Sequence, residues 1–351
     1  MSCPTDHVPG SFDLIPSVPQ APIEEAQVAK ATTETGLALR DRPAPSHQWQ
    51  LNGEDLNVEV HGHGHHLVVL EAGLGNCRTS WDVLMPHLLD EVGAAVTVVT
   101  YDRPGSGRSP ASGQATTIEA MAQRFADLVQ HAVAVTADST DVTGATDGEG
   151  ASADSGEPAG RIVLVGHSLG GLLIRCALPL LIQRGLGQQI AGMVLLDPTT
   201  ETADAYSDPN YYRQFGRLLA LQQQVAHLAP LRRWATTARR RALPAATGEA
   251  MIAEDFTPKS LAQARREHLA LQEAVPSLRA DPPAPPACPV VVLSAGHATK
   301  AAAPFRADVV AHQRAYAESL PLGRFESLSA GHFLHVEQAP AVAAAITRLL
   351  T

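Results

Sequence analysis

Apolar residues fall into two patterns along most of this chain, and the two take turns. Short, nearly unbroken runs, HLVVLEAG, AAVTVVTYD, RIVLVG, AGMVLLDP, CPVVVLSAG and GRFESLSAG, have the character of strands buried on both faces. Longer segments, WDVLMPHLLDE, TIEAMAQRFADLVQHAVAV, LGGLLIRCALPLLIQR and APAVAAAITRLLT, return an apolar residue every three or four positions, the period of a helix packed on one side. Ahead of both, HQWQLNGEDLNVEV alternates: Trp49 and Leu51, then Asn52-Gly53, then Leu56, Val58 and Val60. Asn-Gly between alternating runs predicts a hairpin. Eight strands in all, most separated by helices, predict an α/β fold with a mostly parallel sheet covered by helices on both faces.

Three segments break this alternation. Residues 1–46 are rich in Pro, Ala, Thr and Glu with little periodicity, and read as a flexible arm holding one short helix near residues 23–31. Residues 136–160 carry six carboxylates, no basic residue and many small ones. Such a run buries no core and reads as a disordered loop. Residues 199–287 hold helical patterns such as YYRQFGRLLALQQQVAHL and LAQARREHLALQEAV, a stretch too long for a crossover. It reads as a helical insertion over one edge of the sheet, which leaves residues 47–198 and 288–351 as the core.

The 351 residues, 45% of them hydrophobic, suit one large domain or two small ones. A formal net charge of −10 argues against a nucleic-acid partner, which calls for a basic face. No uncharged apolar window reaches the roughly 18 residues of a membrane span, and the N-terminal stretch has no basic region followed by an apolar core. Cys3, Cys77, Cys176 and Cys288 lie far apart with no CxxC pair, which suits free thiols in a reducing compartment and a cytoplasmic location.

Chemistry concentrates at Gly166-His167-Ser168-Leu169-Gly170, which fits G-x-S-x-G with a predicted strand before it and a predicted helix after. A serine on so sharp a turn is lifted out of the carboxyl end of the sheet. The flanking glycines lack the Cβ atoms that would collide as strand and helix approach. The turn also leaves the Leu169 amide at a helix N-terminus, where it favours negative charge. A phosphate cradle would need G-x-x-x-x-G-K-[ST], and the run has no lysine.

With these residues in view, the chain resembles the α/β-hydrolase family over roughly residues 48–351, the acidic loop apart. VGHSLGG is similar to the family's nucleophile elbow, VVLEAGLGN to its oxyanion loop, TYDRPGSGRS to the next strand and its Gly-rich turn, and AGHFLHVEQAPAVAAAI to the loop of the catalytic histidine. The resemblance implies an eight-stranded α/β-hydrolase sheet with the insertion as a cap. It also implies Ser168 as nucleophile, a second oxyanion donor at Leu74 beside Leu169, and neither cofactor nor metal.

A serine hydroxyl needs a base within reach, usually an imidazole. Among fifteen histidines, His332 follows the last strand and precedes the last helix, where the fold brings a loop over the elbow. His297, in SAGHATK, is the decoy one strand earlier; His335 reads as structural, and His167 as lining the pocket or packing. HGHGHH, residues 61–66, invites a zinc reading but lacks helical i, i+4 spacing and any carboxylate or thiolate, and reads as a solvated turn. Family members mostly place the acid after the seventh strand, yet no Asp or Glu occurs from Ser294 to Arg306. By resemblance the alternative lies after the sixth strand, at Asp197, with Glu201 and Asp308 as the other candidates. The expectation is a serine hydrolase that cleaves small carboxylic esters, or related lactones or thioesters, through an acyl-enzyme. The alternatives are a carbon–carbon bond hydrolase and a non-catalytic ligand-binding protein of the same fold. Arg232, Arg233, Arg239, Arg240 and Arg241 in the insertion read as a solvated helix face, or else as a greeting for an anionic substrate.

Overall fold

Asn52 and Gly53 both adopt left-handed backbone, with φ of 52° and 80°. A two-residue type I′ turn demands that pair of conformations, and it joins β1 (Ser46–Leu51) to β2 (Glu54–His61) with Leu51 opposite Glu54. The computed structural model describes residues 46–141, 160–237 and 243–351, without the side chains of residues 138–141. The remaining strands are β3 (His66–Glu71), β4 (Val96–Tyr101), β5 (Ile162–His167), β6 (Ile190–Leu196), β7 (Val290–Ala295) and β8 (Gly323–Leu328). They form one eight-stranded sheet in the order β1-β2-β4-β3-β5-β6-β7-β8. Only the two pairings of β2 are antiparallel. The expected α/β architecture is therefore the one observed.

The helices among the described residues are α1 (Leu84–Val92), α2 (Ile118–Asp141), α3 (Leu169–Gln183), α4 (Pro209–Ala226) and α5 (Ala229–Ala235), then α6 (Ala245–Asp255), α7 (Pro258–Ala280), α8 (Ala303–Ser319), α9 (Leu334–Glu337) and α10 (Ala339–Leu350). Each inner strand feeds two cores, because successive side chains point to opposite faces. Leu67 and Val69 of β3 pack with Phe125 of α2, Ile174 of α3 and Ala317 of α8. Val68 and Leu70 pack with Leu84 and Leu88 of α1 and with Val342 and Ile346 of α10. This two-faced burial is why β4, β5 and β7 are buried at every position and read as continuous apolar runs.

One expectation is corrected. The acidic segment expected to be a loop from residue 136 is helical through Asp141 and continues α2. Thr136 Oγ1 donates back to the carbonyls of Ala132 and Val133, at 3.0 and 2.9 Å. A helix already anchored by Phe125, Leu128 and Val129 adds further residues without a new nucleation cost. The rest of that segment, residues 142–159, lies outside the described residues. So do the arm at residues 1–45 with its expected helix, and Arg239, Arg240 and Arg241.

Between β6 and β7 the chain runs through α4, α5, α6 and α7. Asp208 caps α4 by accepting from the Asn210 amide at 2.8 Å, and Thr257 caps α7 by accepting from the Ser260 amide at 3.1 Å. The insertion is bonded to the loops after β3 and β4. Asp255 accepts from the Cys77 amide at 3.0 Å, and Lys259 Nζ donates to the carbonyls of Gly107 and Ser109, at 2.8 and 2.6 Å. Among the described residues no helix is long and apolar enough to cross a membrane.

Candidate active site

β5 ends at His167 and α3 begins at Leu169, so Ser168 alone makes the turn. Its backbone sits at φ 53°, ψ −117°, a conformation that costs an L-residue about 1–3 kcal/mol. Hydrogen bonds on both sides over-determine it. The Ser168 amide donates to Leu196 O at 2.9 Å, and its carbonyl accepts from the Gly171 and Thr199 amides at 3.1 and 2.9 Å. The neighbouring glycines are sterically required. A Cβ on Gly166 would lie 2.7 Å from the Gly170 carbonyl, and one on Gly170 would lie 2.2 Å from the Glu71 carbonyl of β3. The second contact is with the neighbouring strand rather than with the serine's own strand. Leu169 is fully buried, and as the first residue of α3 its amide has no intrahelical acceptor.

The loop after β3 runs over this turn. A Cβ on Gly73 would stand 3.3 Å from Ser168 Cβ, so Leu74 is carried close to the serine.

Asp197 follows β6 and is also left-handed, at φ 43°, a conformation that Asp tolerates better than most residues. Its amide donates to Leu293 O at 2.6 Å. His332, in the loop after β8, brings Nδ1 within 2.5 Å of Asp197 Oδ2. That contact leaves Nε2 as the ring nitrogen free to face a nucleophile. Asp197 is only 1% exposed and holds further partners. Arg306 Nη1 donates to both carboxylate oxygens at 2.7 Å, and Gln313 Nε2 donates to Oδ1 at 3.0 Å. Burial alone would raise the Asp197 pKa, but the Arg306 charge and the His332 bond outweigh it and hold the carboxyl well below its ordinary range.

The competing acids are committed elsewhere. Glu201 forms a buried bidentate pair with Arg175, at 2.7 and 2.8 Å. Asp308 Oδ2 accepts from the Ala205 amide at 2.8 Å. The decoy His297 is exposed and pairs with Ser329 Oγ at 2.8 Å. Arg232 and Arg233 lie on α5, outside this contact network.

Three side chains of the site were not singled out for these roles from the sequence. Arg306 and Gln313 of α8 hold Asp197; the signal in the sequence was the lack of a carboxylate between β7 and Arg306, which leaves this helix to face an acid placed after β6. His167, expected to pack or line the pocket, is buried and donates from Nε2 to the His332 carbonyl at 2.9 Å, its ring 4.5 Å from that of His332. Burial, together with the nearby His332 and His335, holds His167 well below the usual histidine pKa and keeps it neutral.

Cys77, Asp102 and Glu254 are the one close group of potential metal ligands among the described residues. Its cation is already present: Arg78 bonds Glu254 and lies 3.2 Å from Asp102. Burial also pushes the Cys77 thiol well up, so it stays protonated.

A family model described as the alpha/beta hydrolase family matches residues 58–345. No curated protein matches the chain. Among solved structures, a putative alpha/beta hydrolase from Nostoc is similar with a TM-score of 0.62 and 18% identity, over 88% of this chain and 98% of that one. A thermophilic esterase from Thermogutta terrifontis is similar with a TM-score of 0.53 and 21% identity, over 88% and 98%. An enol-lactonase from Burkholderia xenovorans is similar with a TM-score of 0.51 and 20% identity, over 87% and 99%. At these identities the likeness is one of fold.

Proposed function

This chain belongs to the alpha/beta hydrolase family, and from that premise we propose that it is a serine hydrolase acting on small carboxylic esters or the related lactones and thioesters. Ser168 Oγ attacks the carbonyl carbon while His332 Nε2 takes the hydroxyl proton. Asp197, bonded to Nδ1, fixes the imidazole and stabilises it when charged. The amides of Leu74 and Leu169 hold the tetrahedral oxyanion. His332 returns the proton to the leaving alcohol, and water repeats the sequence on the acyl-enzyme, releasing the acid and restoring Ser168.

The observation that carries this reading is the 2.5 Å contact between His332 Nδ1 and a buried carboxylate that the neighbouring groups keep ionised. The helical insertion acts as a cap that selects the substrate. Free Cys77, Cys176 and Cys288 suit a cytoplasmic enzyme.

The test is a panel of p-nitrophenyl esters from acetate to longer acyl chains, run with the wild type and with Ser168→Ala. Turnover of at least one ester, lost in Ser168→Ala, is expected. Binding without turnover across esters, lactones and thioesters would favour the non-catalytic reading. Turnover confined to carbon–carbon bonds next to a carbonyl would move the substrate class.

A further inference from the structure

A buried ion network ties the insertion to the loop that carries Leu74. Arg103 follows β4 and is 4% exposed, and Glu267 lies midway along α7 and is fully buried. Arg103 Nε and Nη2 donate to the two oxygens of Glu267, each at 2.9 Å. The rest of the guanidinium grips the end of β3. Nη1 donates to Glu71 Oε1 at 2.5 Å and to Ala72 O at 2.8 Å, and Nη2 donates to Gly73 O at 2.7 Å. Glu267 Oε2 in turn accepts from the Gly75 amide at 2.9 Å. Gly75 has φ +69°, and a Cβ there would lie 2.8 Å from Ala264 Cβ, so the loop rests directly on α7. Leu74 sits between two held points, Gly73 through its carbonyl and Gly75 through its amide.

Stability alone does not account for this arrangement. A buried ion pair rarely outperforms well-packed apolar residues of the same volume. Apolar residues could not hold two carbonyls and an amide on either side of a single peptide unit.

We propose that Glu267 is a positioning residue: acting with Arg103, it holds the Leu74 amide in place for the oxyanion, so that a seated insertion and a formed oxyanion hole are one and the same state. The proposal rests on the reading of Leu74 as an oxyanion donor. It makes α7 part of the reaction geometry as well as part of the cap.

The test compares wild type with Glu267→Gln, which keeps the side chain's shape but gives up one acceptor oxygen, and has two readouts. Hydrogen exchange at the amides of residues 73–77 is expected to quicken about tenfold or more in the variant, with β4 and β5 amides unchanged. With the best ester of the panel, kcat is expected to fall about 10- to 100-fold while KM stays within about threefold, since an oxyanion donor removed outright costs roughly 10²- to 10³-fold. Unchanged loop exchange would overturn the clamp. Quickened exchange with unchanged kcat would overturn the positioning role. A uniform loss of core protection would mean that Glu267 serves stability only. If the wild type turns over no ester, the ester reading fails on its own, and loop exchange still decides whether the insertion holds the loop.

Discussion

One carboxylate, Asp197, faces a histidine, an arginine and a glutamine at once, and its chemistry follows from that company. Arg306 and Gln313 saturate the oxygens that His332 leaves free, so the carboxylate is locked in one orientation and the imidazole in one tautomer. Asp197→Asn is expected to keep the fold and lower kcat by up to ~10⁴-fold, the loss that follows when a triad acid becomes an amide. Glu201→Gln should instead leave kcat close to normal and destabilise the protein by about 3–5 kcal/mol, because it breaks a buried pair with Arg175. Equal kcat losses in the two variants, measured at a temperature where both are folded, would refute this division of roles. At this scale the sequence was partly legible. The order of motifs pointed to Asp197 with Glu201 and Asp308 as rivals, and no sequence pattern showed that Glu201 pairs with Arg175 or that Asp308 accepts from the Ala205 amide. The role of His167 was hidden, since which way a residue beside the turn faces depends on the distant loop that carries His332.

The elbow shows why elements were more legible than contacts. A strand run, a G-x-S-x-G turn and a helix run adjoin in sequence, so local pattern alone predicted the strained serine between β5 and α3. The glycine spacing had a less local cause. Gly170 is small because a carbonyl of β3 lies against it, and β3 is nearly a hundred residues away in the chain. Gly170→Ala is therefore expected to destabilise the protein by about 3 kcal/mol or more in urea denaturation, since the clash is with backbone that cannot rotate aside. Gly113→Ala, where a Cβ meets nothing within 4 Å, should stay within about 0.5 kcal/mol of wild type. Similar shifts for the two would contradict the steric account. The extension of α2 to Asp141 went unread because composition marks where a helix is unlikely to begin, whereas an anchored helix runs on into residues that would not start one.

Across the whole molecule, two cores, one on each face of the sheet, bring the ends of β3, β5, β6 and β8 to one rim, and buried charges bond the insertion to the loops after β3 and β4. Buried neutral histidines tie this assembly to pH. Burial lowers the His335 pKa to about 3, and neither ring nitrogen has a hydrogen-bond partner among the described residues. The unfolded chain takes up a proton near pH 6.5, whereas the folded chain resists until about pH 3. His335 thus contributes stability that is fully present above about pH 6.5 and lost as the pH falls toward 3. Phe in its place, beside Trp81, should be near neutral at pH 7 and lessen the loss between pH 6 and pH 4 by up to ~1.4 kcal/mol per pH unit. Identical urea midpoints for the two proteins across that range would exclude this contribution. The sheet and its helices were legible because continuous apolar strands alternating with amphipathic helices leave few alternatives. The buried links between insertion and core were not, because Arg78 and Arg103 lie far in sequence from their partners Glu254 and Glu267, and all four resemble surface charges until they are seen paired. The central claim, that Ser168 is the acylated nucleophile, is tested most directly by intact-protein mass spectrometry after treatment with a fluorophosphonate probe. A single adduct mapping to Ser168 and absent from Ser168→Ala is expected; labelling that survives in Ser168→Ala, or no labelling of the folded wild type, would contradict it.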